Sequence, residues 1–123
     1  VNGWFKLKAR HFVGSSGIPH GRSGPGERVK FWDILESHLH GEESAHLWVF
    51  SHVHYFQFTK NAFGASMTLP CWKAEGDWHG DTKCSGHIDL GCVRLDIGET
   101  EDEGWTETER LYLARLVDRS VKA

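Results

Sequence analysis

Four consecutive apolar residues, Leu47-Trp48-Val49-Phe50, constrain this chain more than any other feature. A strand with one wetted face alternates polar and apolar positions. A short run with no polar position is what a strand needs when both of its faces are covered, as in a parallel sheet. Polar residues resume at Ser51-His52-Val53-His54, where such a strand would hand its chain to a loop. Upstream, residues 27–40 place Phe31, Ile34, Leu35 and His38 at helical spacing, with Trp32 and Leu39 beside them. Pro25 lies just before this segment and Gly41 just after it, the asymmetry of a helix start and stop. The spacing therefore predicts a helix over 27–40.

The flanking segments fill in the order. Residues 4–12 alternate, with Phe5, Leu7 and Ala9 on one face and Lys6, Lys8 and Arg10 on the other, which predicts a half-buried strand. Residues 14–26 (GSSGIPHGRSGPG) have the composition of a loop. After the histidines, strands are expected at 55–59 and 63–69 around a turn at Lys60-Asn61, with Pro70 as the stop. Residues 71–86 are irregular and polar, and 87–97 alternate again with Val93, Leu95 and Ile97 inward. An acidic run at 99–103 leads to a tail, 105–123. That tail is either a helix, with Thr106 as N-cap and Glu109 as its capping-box partner, or a final strand. Strand, loop, helix, buried strand and a run of strands make an α/β fold: a mixed sheet, one main helix and an antiparallel addition. The strands are too few to close a self-sufficient sandwich, so an incomplete sheet edge is expected. The natural division is 1–98 as the domain and 99–123 as an acidic linker with its terminal element.

Length and composition narrow the class. With 123 residues, 39% of them apolar, 25% charged and a net charge of −3, the chain is sized for one domain with one core. Nothing in that balance indicates nucleic-acid binding by charge. No stretch approaches the roughly 20 apolar residues that span a bilayer, so no membrane partner is expected. Cys71, Cys84 and Cys92 form no CxxC and cannot all pair within one chain, which fits buried thiols in a reducing, cytoplasmic setting. Their spacing with His79 or His87 matches no standard zinc site. The chain opens on Val1 directly before a strand-like pattern and so reads as a piece of something longer.

The chemistry concentrates at strand ends. Ligands in open α/β sheets bind outside the carboxyl ends of strands, where loops converge on a rigid frame. His52 and His54, one residue apart at such an end, can both turn to one site if the strand breaks its pleat, and imidazole is a favoured ligand of divalent transition metals. Two surface histidines would leave the same trace in a chain with 9 His. His11, where the first strand meets the glycine-rich loop, offers a third imidazole, as a hydrolytic metal centre requires. In the loop, His20 and Arg22 precede a helix N-terminus. Exposed backbone N–H groups, the helix dipole and a guanidinium there suit a phosphate, although no GK[ST] follows and a plain connection is the alternative.

Taken together, ARHFVGSSGIPHGR (9–22), SHVHYF (51–56), TLPCW (68–72) and CSGHIDLG (84–91) resemble the calcineurin-like metallophosphoesterases, particularly phage-type members. The likeness runs from about residue 4 to 97. It implies part of a calcineurin-like sandwich, with His11, His52 and His54 as the later ligands of a two-metal centre. It places His20 and Arg22 in the loop that orients the phosphate. Ser51 stands where the family carries Gly before its HxH. The family's early DxH, GD and GNHD motifs, which supply the bridging carboxylate, the Asn ligand and the catalytic His, are absent.

The resemblance therefore implies half of a metal-dependent phosphoesterase site. A complete centre holds two cations about 3.5–4 Å apart and hydrolyses a phosphoester. The ions would be manganese, zinc, nickel or iron, chosen by availability. The expected partner is an N-terminal half of the domain that brings the missing ligands. The alternative is a catalytically inactive descendant that self-associates through its open sheet edge and serves assembly.

Overall fold

The computed structural model describes residues 1–11, 13–14, 19–72 and 88–112. Two sheets and one long helix build it. Strand β1 (Leu7–Arg10) is followed by a single turn of 3-10 helix at Pro19–Gly21 and then by helix α1 (Gly24–Leu39). Strands β2 (Leu47–Phe50), β3 (Gln57–Asn61) and β4 (Gly64–Thr68) complete a four-stranded sheet in the order β1-β2-β4-β3. The pairs β1–β2 and β2–β4 are parallel, and β3–β4 is an antiparallel hairpin. Strands β5 (Gly91–Ile97) and β6 (Trp105–Leu111) form a separate antiparallel ribbon. The architecture is mixed α/β.

The apolar run does what its composition requires. β2 lies inside the sheet, and both of its faces are covered. Trp48 and Phe50 join Val13, Ala45, Val53 and Tyr55 in a core under α1, against which Val29 and Ile34 pack. Leu47 points the other way, into a second cluster with Phe5, Ala65 and Met67. The ribbon closes that cluster with Val93, Leu95, Ile97 and Trp105. The Trp105 ring meets Phe5 edge-on at 5.3 Å. The inward alternation expected of Val93, Leu95 and Ile97 is thus found. The tail resolves as a strand over 105–111, and Thr106 caps no helix because its segment pairs with β5 from Gly91 to Leu111. The boundary expected at 98/99 falls in the turn of this ribbon, where 101–103 form a short 3-10 helix.

Several expectations shift. The first strand is four residues long and every residue in it is exposed, because β1 is the sheet edge. Its anchor is Phe5, just before it. Helix α1 begins three residues earlier than the spacing suggested. Pro25 sits inside its first turn, where a missing N–H costs nothing. The hairpin turn falls at Ala62-Phe63, two residues after Lys60-Asn61. Gly41 ends the helix in the left-handed region, as expected, at φ 68°. Residues 73–87, with Cys84, His79 and His87, and residues 113–123 lie outside the described residues. Cys92 is exposed, contrary to the buried thiol expected, since it faces outward on β5.

α1 does not turn its apolar stripe toward the sheet. Phe31, Trp32, Leu35 and Leu39 are 61, 61, 38 and 74% exposed, and His38 is exposed too. Of the residues at helical spacing only Ile34 packs on the core. The buried positions are Gly26, Lys30 and Ser37. Two demands from the sheet set this rotation. Phe50 packs so closely that a Cβ at Gly26 would stand 3.3 Å from its ring. The Trp48 indole N–H needs an acceptor and donates to Asp33 Oδ2 at 2.9 Å. Between them the Lys30 ammonium, 3% exposed, bonds Glu27 Oε2 at 2.8 Å and the Gly64 carbonyl at 3.3 Å. The Ser66 hydroxyl donates to Glu27 Oε1, so the buried ammonium is paired. Asp33 also holds Lys8 Nζ at 2.8 Å, tying the edge strand to the helix. Burial pushes the Asp33 carboxyl up, but bonds from Lys8 and Trp48, with the charges of Lys8 and Arg10, outweigh it and hold the group below its ordinary value.

Candidate functional site

Register brings the histidines together. Arg10 and Phe50 are paired at the carboxyl ends of β1 and β2. The next residues, His11 and Ser51, therefore leave the sheet side by side, and Ser51 N–H still donates to the Arg10 carbonyl at 3.2 Å. The chain then breaks its pleat as the site requires. His52 and His54 both adopt positive φ, 78° and 59°, with buried Val53 between them. Non-glycine residues in this region are strained and cluster at functional loops. The two imidazoles are thus not held on opposite sides of a regular strand.

His11 Nε2 and His52 Nδ1 stand 3.4 Å apart, with ring centroids 5.2 Å apart and planes at 75°. Ser51 touches His11 at two atoms. Its hydroxyl donates to the His11 carbonyl at 3.1 Å and stands 3.4 Å from Nδ1 of the same ring, while Nε2 faces His52. The resemblance implies a Gly at position 51, where this chain carries Ser. In the fold that Ser contacts an imidazole.

The spacing also fits a shared ion. Two nitrogens each about 2.0–2.1 Å from a tetrahedral metal lie roughly 3.3–3.4 Å apart. Among the described residues no group of three or more His, Cys, Asp or Glu side chains is gathered closely enough to hold a metal. The pair His11–His52 is what these elements bring to one point. His54 follows on the same loop, and its carbonyl accepts from Asp89 N–H at 2.9 Å.

Asp89 is the residue that sequence reasoning missed. It is 5% exposed, and its Oδ2 accepts from Phe56 N–H at 2.7 Å. Its main-chain N–H donates to the His54 carbonyl and its own carbonyl accepts from Cys71 N–H, so Asp89 ties the far end of the histidine turn, His54 to Phe56, to the segment after β4. Only the partial pattern GHIDLG marks it in the sequence, and nothing there states that a carboxylate must cap a loop more than thirty positions upstream.

The phosphate-loop residues take different roles. His20 is exposed in the 3-10 turn before α1. Arg22 lays its guanidinium over the Tyr55 ring at 4.7 Å, and its carbonyl accepts from the Tyr55 hydroxyl at 3.5 Å. Its Nε is buried beside a cavity of about 10 Å³, lined also by Ser66 and Thr68, that is too small for a phosphate group. Arg22 thus braces the loop bearing the histidines through Tyr55. No helix among the described residues is long and apolar enough to cross a membrane.

The chain matches no family model, no curated protein and no solved structure.

Proposed function

We propose that this chain supplies the imidazole side of a metal-dependent phosphoesterase centre within a partial calcineurin-like sandwich. The observation that carries the reading is the His11–His52 pair. Two imidazole nitrogens meet at the carboxyl ends of adjacent parallel strands, at the separation a tetrahedral ion imposes. His11 would bind through Nε2, the nitrogen that faces His52, by carrying its ring proton on Nδ1 toward the Ser51 oxygen. His52 would bind through Nδ1 by carrying its ring proton on Nε2. His54 is the third imidazole of the same loop.

When bound, the metal, whether zinc, manganese, nickel or iron, supplies Lewis acidity toward a phosphoryl oxygen and lowers the pKa of a coordinated water. The residues of this chain hold and orient. Asp89 and Tyr55 fix the loop, Ser51 contacts the ring of His11, Arg22 braces Tyr55 from behind, and exposed His20 stands on the entry to α1. Three imidazoles carry no negative charge and cannot bridge two cations. The carboxylate ligands of a two-metal centre are therefore assigned to a separate N-terminal half.

The test is metal content and hydrolysis of a generic phosphodiester. Both are measured on the chain alone and on the chain co-produced with the segment encoded upstream. The expected result is weak binding of one ion by the lone chain, with two ions and turnover in the pair, both lost in His52→Ala. A folded chain that binds no transition metal in either setting refutes the reading.

A further inference from the structure

The outer face of α1 is apolar where a helix on a finished surface is polar. Phe31, Trp32, Leu35 and Leu39 crowd it, and the Phe31 and Trp32 rings meet edge-on at 5.8 Å. Phe63, 73% exposed, extends the patch beyond Phe31 across a shallow cavity of about 160 Å³ that both residues line. Contiguous apolar patches of this kind mark interaction surfaces.

The charges on this face indicate what covers it. Arg28, Trp32 and Glu36 are four residues apart and all exposed, so they form one ridge along the helix. Neither Arg28 nor Glu36 has an ion-pair partner among the described residues, whereas Lys8, Lys30 and Lys6 each have one. A second α1 laid antiparallel across a two-fold axis at Trp32 maps position 28 onto 36 and 36 onto 28. In a two-fold interface residue i meets j and j meets i. Each Arg28 then faces Glu36 of the other copy, twice, on either side of the two indoles. The parallel arrangement would instead oppose Arg28 to Arg28 and Glu36 to Glu36. The same operation carries exposed Leu39 to the Pro25 end of the other helix. A groove of about 240 Å³ beside the ridge, lined by Arg10, Arg28, Val29, Trp32, Asp33 and Glu36, offers a seat for the incoming indole. The exposed apolar side chains amount to roughly 500 Å² per copy, below the ~800 Å² of a standard interface, so the association is weak and concentration-dependent.

We propose that two copies of this chain associate through antiparallel α1 helices about a two-fold axis at Trp32, with reciprocal Arg28–Glu36 pairs. The contact lies on the helix layer and does not require the histidine loop to be catalytic.

Sedimentation of the full chain across a concentration series tests it, with circular dichroism checking that each variant stays folded. The wild type is expected to pass from monomer to dimer. Arg28→Glu and Glu36→Arg should each weaken the dimer by about tenfold, because each creates two like-charge contacts at once. The double variant Arg28→Glu/Glu36→Arg should restore it, since the swapped charges pair again across the axis. Trp32→Ala should leave only monomer. A wild type that stays monomeric at every accessible concentration overturns the proposal and leaves the face to a different protein. A dimer indifferent to the charge swaps, or a double variant no tighter than the single ones, overturns it in favour of another contact such as the β1 edge.

Discussion

Replacing Asp89 by Ala asks whether one carboxylate holds the histidine loop. The substitution deletes the acceptor of the 2.7 Å bond from Phe56 N–H, while the main-chain bonds of residue 89 to His54 and Cys71 can persist. A hydrogen bond to a charged acceptor contributes about 1.5–3 kcal/mol, and stranding a part-buried N–H costs a similar amount, so the loss should be about 2 kcal/mol. With a urea m-value of roughly 2 kcal/mol per molar, the unfolding midpoint should fall by about 1 M. Asp89→Asn keeps an acceptor oxygen without the charge and should lose about half as much. Equilibrium urea unfolding, followed by tryptophan fluorescence, to which buried Trp48 contributes, reads both variants. The loop argument carries a second expectation. If His52 ligates a metal, its affinity in Asp89→Asn should drop about tenfold or more, as for other residues that orient a ligand. A midpoint for Asp89→Ala within about 0.2 M of the parent would refute the reasoning, because the turn would then be held by other contacts.

Two further substitutions probe the frame. At Gly64, φ is 127° and a Cβ would lie 2.8 Å from Trp48 Cζ3 and 3.2 Å from the His46 carbonyl. Gly64→Ala should therefore cost about 2–4 kcal/mol and lower the thermal midpoint by roughly 10 °C, and an unchanged melt would contradict the packing described. At Glu107, burial first and then the neighbouring Glu109 push the carboxyl above its ordinary value. A carboxyl raised on folding is a liability when ionised, so stability is lost as pH rises through its folded pKa. Glu107→Gln should stabilise the chain at neutral pH, with the advantage fading as pH falls into the carboxylate range. A constant advantage across pH would show that charge is not the cause.

Much of the architecture was legible because it rests on local pattern. The unbroken run Leu47–Phe50 located a strand covered on both faces, and alternation from Val93 to Ile97 located the inner face of the ribbon. Gly41 and Pro25 bracketed the helix to within a few residues. The tail was ambiguous because Trp105–Leu111 alternates only weakly, and its pairing with β5 is a long-range choice. The rotation of α1 was not legible for a related reason. Apolar residues occur on both sides of this helix, so spacing alone could not rank one stripe over the other. The winning stripe carries Gly26, Lys30, Asp33 and Ser37, which look like a solvated face until Phe50, Trp48 and Ser66 are placed opposite them.

The candidate site divides along the same line. Sequence by itself determined that imidazoles sit at strand ends, because strand periodicity and the resumption of polar residues after Phe50 are local properties of the chain. Only the tertiary structure decided that His11 and His52 meet at 3.4 Å, that Ser51 contacts one of them, and that Asp89 ties down the far end of their turn. Those are consequences of the parallel β1–β2 register and of contacts between residues more than thirty positions apart, and no local pattern encodes a register.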